Sequence, residues 1–146
     1  MMITSILLTA WRNTLFAVVL IWMNSLVPNQ DHSTLAWAIA VNAETYEEAS
    51  VFTAVAFRES TFKLDAVGDH GSSVCAMQIH NGSKDLLTDA VACVAKGAEM
   101  LRESRRMDRK FPIAFYAEGP NFTSDRAKRI SRDRMAIARR LMVMKP

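Results

Sequence analysis

The sequence predicts a mainly α-helical fold. Half of its 146 residues are hydrophobic and only five are glycine. Alternating runs of β-branched residues are few, while apolar residues recur at the three- and four-residue spacing of helices that bury one face. A chain of this length holds one globular domain with a single core after an N-terminal segment. The expected organisation is therefore a signal peptide or membrane anchor over residues 1–30, followed by one domain over residues 31–146.

The N-terminal segment is the most apolar. Residues 3–27 carry one charge, Arg12, and none falls between Thr14 and Val27. The next cation is Arg58, with Asp31, Glu44, Glu47 and Glu48 in between. An acidic flank after an apolar run suits transfer of the C-terminal side across a membrane, so export to the periplasm or cell envelope is expected. Ala36-Trp37-Ala38 has the small-x-small form that a signal peptidase prefers, although it lies well beyond the apolar stretch. Cleaved signal and retained anchor both stay open, and a core helix is the plainer alternative.

Further along, Glu44-Thr45-Tyr46-Glu47-Glu48 begins a helix that ends at Glu59, with Asn42 or Thr45 as its cap. Gly68, Asp69, Gly71, Ser72 and Ser73 then break helical periodicity, and Ala76-Met77-Gln78-Ile79 restores an ordered element. Leu87, Val91, Val94, Ala98 and Leu101 form a core-facing stripe behind a Thr88-Asp89 cap. Ile113 to Tyr116 is a short apolar run closed by Gly119-Pro120. Asp125 to Met144 reads as a basic amphipathic helix with Ile130, Ile137 and Leu141 inward.

Glu59 is the residue most suggestive of chemistry, because Phe52, Val55, Ala56 and Phe62 lie three, four or seven positions from it. A carboxyl group held against apolar neighbours loses water, which disfavours its ionised form and suits it to act as a general acid. The plainer reading puts Glu59 on the rim of the stripe, paired with Lys63. Three blocks of residues weigh toward the general acid. Glu59-Ser60-Thr61-Phe62, Ser73-Val74-Cys75-Ala76-Met77-Gln78-Ile79 and Ala114-Phe115-Tyr116-Ala117-Glu118-Gly119-Pro120 resemble, in order and spacing, three motifs of the lytic transglycosylases of the soluble-transglycosylase group. Those enzymes share a goose-type, lysozyme-like fold. The first block is similar to their catalytic E-S-x-F, the second to [A/S]-x-G-[L/x]-[M/F]-Q-I and the third to A-x-Y-N-x-G-P. Two positions depart from the pattern: Cys75 stands for the usual glycine and Ala117 for the usual asparagine, both at the sugar-binding cleft.

The resemblance covers roughly residues 40–125, and it implies a lysozyme-like domain that cleaves the β-1,4 bond between N-acetylmuramic acid and N-acetylglucosamine in peptidoglycan glycan strands. Glu59 would serve as acid and then base, with Ser73, Met77, Gln78 and Tyr116 as substrate-binding and supporting residues and no cofactor. Asp69, if it entered the cleft, could instead activate water, as in a goose-type muramidase. A wall-binding component without catalysis is the alternative from a different class. A monomer is expected.

The two cysteines, Cys75 and Cys93, would be bridged in an exported protein, or else be buried free thiols. His70, Cys75 and His80 lack metal-ligand spacing, so no metal is expected. A cysteine peptidase is excluded by the want of a histidine later than His80. Charge is divided along the chain, −5 over the first ninety-five residues and +8 beyond them. The basic half could attract anionic wall polymers, lipid head groups or nucleic acid, or simply be solvated. No recognised nucleic-acid motif or interleaved aromatic accompanies it, and no nucleic-acid partner is expected.

Overall fold

The computed structural model describes residues 2–144; Met1, Lys145 and Pro146, at the outer ends of the two expected segments, lie outside the described residues. Six α-helices are found among them: α1 (Met2–Leu26), α2 (Ser33–Asn42), α3 (Tyr46–Ser60), α4 (Ala90–Met107), α5 (Ala114–Glu118) and α6 (Asp125–Val143). Between α3 and α4 lies a small antiparallel sheet in the order β1 (Val67–Gly68), β2 (Ser73–Val74), β3 (Ile79–His80). Val67 pairs with Val74, and Val74 in turn with Ile79. The mainly helical reading holds.

Local capping explains where the helices begin. Thr45, not Asn42, starts α3, its hydroxyl accepting the Glu48 amide, because an extended residue with a short side-chain oxygen satisfies an orphan donor of the first turn. Asn42 ends α2, and its Nδ2 donates to the carbonyls of Ala38 and Val91. Asp89 caps α4 and Ser124 caps α6 in the manner of Thr45. Leu87 falls in a 3₁₀ turn, Lys84–Leu87, ahead of the Asp89 cap, and Val91 is 43 % exposed; neither belongs to the buried stripe expected of them. The stripe begins one turn later and runs through Cys93, Val94, Gly97, Ala98 and Leu101. A cap sets the helix phase, and the expected stripe started before the cap.

The core joins Trp22 and Met23 of α1, Leu35 and Ile39 of α2, Phe52 and Val55 of α3, Val94 of α4 and Leu141 of α6. α1 packs on α2 and α3 through Leu15, Val18, Val19, Trp22 and Met23, all at most 2 % exposed. Its first two turns differ: residues 4–10 are exposed on every side, Ile6 and Leu7 by about two thirds. Thr4–Leu26 is long and apolar enough to cross a membrane. Ala36 and Ala38, of the small-x-small sequence, are fully buried within α2.

Arg102 ties α4 to α3. Its Nε and Nη2 donate to the two Glu48 carboxylate oxygens at 2.8 and 2.9 Å, and Nη2 also reaches the Asn42 carbonyl. The Arg102 hydrogen bonds hold the Glu48 carboxyl below its ordinary range despite partial burial, which acts the other way. A depressed folded-state value adds stability that is present above the ordinary glutamate range and is lost as pH falls through the lowered value. Glu48→Gln is therefore expected to lower the stability at pH 7, by at most about 1 kcal/mol for a pair this exposed, and with it the melting temperature. In melts recorded at successively lower pH, the gap between wild type and variant should close below about pH 4. A gap that stays constant into acid would refute this account.

Candidate functional site

Glu59 lies in the last turn of α3, where the chain leaves the helix through Thr61 and Phe62, both in the left-handed region. That reversal turns the backbone toward the small sheet, which becomes one wall of a cleft of about 990 Å³. Glu59, Asp69, Ser73, Gln78, Tyr116 and Arg134 line this cleft, together with Glu103, Glu118 and Arg126. Four of the five residues expected at the site converge there from α3, the sheet and α5.

The fifth does not. Met77 is fully buried, its side chain seated against Gly97 of α4, where a Cβ would come within 2.7 Å of Met77 Cε and 3.0 Å of Cγ. Its contribution is the main-chain carbonyl, which accepts the Tyr116 hydroxyl. Packing, not ligand contact, accounts for this methionine. Gly97→Ala therefore sets two effects against each other: about 1 kcal/mol gained in helix propensity, and overpacking costing about 1–3 kcal/mol. The contact reaches back to Met77 Cβ at 3.2 Å, so a rotamer change cannot relieve it. The expected outcome is a lower melting temperature.

Gln78 is held by its own amide, Nε2 donating to the carbonyls of Cys75 and Ala66 at 3.0 and 3.2 Å. Its Oε1 rests on Gly68, where a Cβ would sit only 2.3 Å away. Ser73, 2 % exposed, donates to Asp69 Oδ2 at 2.5 Å. Cys75 has φ 65°, a left-handed conformation that glycine adopts freely and other residues adopt at a cost. A glycine would take up this backbone bend freely. Cys75 is bridged to Cys93 with a Cα separation of 6.3 Å, which pins the sheet to α4 and rules out the free-thiol alternative.

The surroundings of Glu59 correct the sequence reading. Phe52, Val55 and Ala56 are buried in the core, whereas the Glu59 side chain is 21 % exposed and its Oε1 accepts from Arg134 Nη2 at 2.7 Å. The acid sits at the margin of the apolar stripe and faces a cation. That cation is Arg134 of α6, not Lys63, which is exposed. Phe62 packs edge-on against His32 and beside Phe57, on the core side of the turn. One position earlier, Arg58 makes a bidentate pair with Asp133, so neighbouring residues of α3 and α6 exchange charges in register. Arg134 Nε is buried and without a hydrogen-bond partner.

Tyr116 Oη, bonded to the Met77 carbonyl, feels the charges of both Glu59 and Arg134. Burial pushes its phenol well above the usual tyrosine range, and the Glu59 charge adds to this while Arg134 opposes it. The hydroxyl therefore remains a neutral donor. Glu118, at a helix end where solvation is the usual outcome, has a side chain only 19 % exposed and pairs with Arg126 Nε at 3.1 Å on the cleft wall. Sequence reasoning missed Arg134, Arg126 and Glu103; the only available sign was the basic character of α6, which does not say which arginine turns inward. No cluster of three or more metal-binding side chains occurs among the described residues.

Comparison of the chain with family models, with curated proteins and with solved structures returns no match.

Proposed function

We propose that the protein is an exported peptidoglycan lytic transglycosylase with a lysozyme-like domain. The observation that carries the proposal is the meeting of Glu59, Gln78 and Tyr116, from three separate motifs, in one cleft large enough for sugar rings. The helix-then-small-sheet order around Glu59 supports the lysozyme-like reading, and the disulfide with the N-terminal apolar helix supports export.

In this reaction Glu59 gives its proton to the glycosidic oxygen as the bond to the muramic anomeric carbon breaks. The muramic 6-hydroxyl oxygen then bonds to that carbon and returns its proton to Glu59, so the carboxyl ends as it began and a 1,6-anhydro ring is formed. The substrate must draw Glu59 away from Arg134 before the first step, because a carboxylate committed to an ion pair cannot donate. Arg134 Nη2, released from Glu59, can then donate to a substrate oxygen in the cleft. Tyr116 and Gln78 brace the loop opposite.

A second reading is favoured by Asp69, whose carboxylate lines the same cleft. With water activated there, the enzyme would be a muramidase. Mass spectrometry of fragments released from purified peptidoglycan decides between them: anhydro-muramic ends support the transglycosylase and reducing ends the hydrolase. Intact sacculi with no release would leave only a wall-binding role.

A further inference from the structure

Five cations occupy the outer side of α6, and their arrangement goes beyond the cleft chemistry. Arg132, Arg139 and Arg140 recur with Ala136 and Val143 at helical spacing along one exposed face, flanked by Arg129 and Lys128. None of the five has an ion pair among the described residues, in contrast to Arg126 and Arg134, which turn toward the cleft and are paired. The exposed Asp125 lies on the same face but pairs with none of the five, so their mutual repulsion is unfavourable in itself. An external anion would offset this.

The end of the face narrows the choice of anion. Val143 is 84 % and Met144 42 % exposed. Ser25 Oγ, which donates to the Trp22 carbonyl, lies 3.9 Å from Met144 Sδ, and this contact sets the end of α6 beside the end of α1. One turn back along α1, Ile21 is 45 % exposed. A track of cations thus runs into a patch of exposed aliphatic side chains shared by two helices. A nucleic acid would use the charge and leave the aliphatic end in water, and Phe111, a ring beside the track, already carries Lys110, Lys128 and Arg132. A bilayer interface offers both phosphate and hydrocarbon within one plane.

We infer that the outer face of α6 docks on the surface of an anionic phospholipid bilayer, with Arg132, Arg139 and Arg140 on phosphates and Val143 at the acyl boundary. The test is co-sedimentation of the full chain with vesicles of phosphatidylcholine, with and without phosphatidylglycerol. Binding to phosphatidylcholine alone measures whatever α1 contributes. The inference predicts tighter binding to the anionic vesicles, lost on adding salt, and a drop of roughly five-fold for each arginine changed to glutamine at 132, 139 and 140. All three side chains are exposed and repel one another, so the triple variant should fold and melt no lower than the wild type. Val143→Ser, which removes the aliphatic group without adding charge, should weaken vesicle binding yet leave binding to inorganic polyphosphate unchanged. Equal binding to neutral and anionic vesicles, or a triple variant indistinguishable from wild type, would overturn the inference. Polyphosphate or duplex DNA binding as tightly as the anionic vesicles at the same salt would overturn it too, in favour of a soluble polyanion.

Discussion

Glu59→Gln is expected to reduce release of soluble fragments from peptidoglycan by roughly a hundred- to ten-thousand-fold while the protein stays folded, the range associated with losing a positioned acid and base. The amide keeps the size of the side chain, and its oxygen can still accept from Arg134 Nη2, so the cleft need not rearrange. The exchangeable proton is what disappears. Under the proposed mechanism the same group acts twice, and both the departure of the sugar and the ring closure are lost together. Stability should fall modestly: Arg134, whose side chain is 13 % exposed, loses its counter-charge, and the removal of a negative charge from the C-terminal end of α3 offsets only part of that. Digestion assays paired with circular dichroism melts give both readouts. Full digestion by the variant would remove Glu59 from the chemistry.

Removing the Cys75–Cys93 bridge should produce the largest change in stability. On the chain-entropy argument, closing a loop between residues 18 apart is worth about 3 kcal/mol. In a chain of this size that corresponds to a fall in melting temperature on the order of 10 °C. The backbone at Cys75 refines the expectation. Because φ is 65° there, a double change to Cys75→Ala and Cys93→Ala loses the cross-link and keeps a strained left-handed alanine. Cys75→Gly with Cys93→Ala loses the same cross-link but relieves that conformation, and should recover about 1 kcal/mol. Denaturant titration of the two double variants measures the difference. If the glycine variant were the less stable, the left-handed bend would not be the reason a glycine suits this position. The variants should also loosen the Gln78 segment, since the bridge and the Gln78 amide bonds hold the same turn.

Much of the helical architecture is legible in the residues. α4 and α6 reveal themselves through apolar stripes, and the start of α4 through Asp89, because helix phase and capping depend on residues three or four apart. The disulfide is legible for a different reason: with two cysteines only one internal pairing exists. The errors have a common origin. Val91 fits the periodicity as well as Val94 does, and only the position of the cap shows that it faces water. Met77 lies inside a motif that implied a cleft role, and only the closeness of Gly97 shows its side chain turned into the core.

The candidate site divides along the same line. Composition and local spacing mark Glu59 as an acid beside an apolar stripe, with a turn-rich loop after it and a tyrosine near a helix end. They cannot say what faces the acid. α6 carries six arginines, and the one that meets Glu59, Arg134, comes from 75 positions away. That choice depends on how α3 and α6 lie across each other, a relation fixed by core residues such as Val55 and Ile137 and not by the charges themselves. Sequence alone therefore determines which segments are helical, where they are capped and that the cysteines can pair. Tertiary packing decides which polar side chains share a cleft, because contact between distant residues is set by the burial of their apolar neighbours.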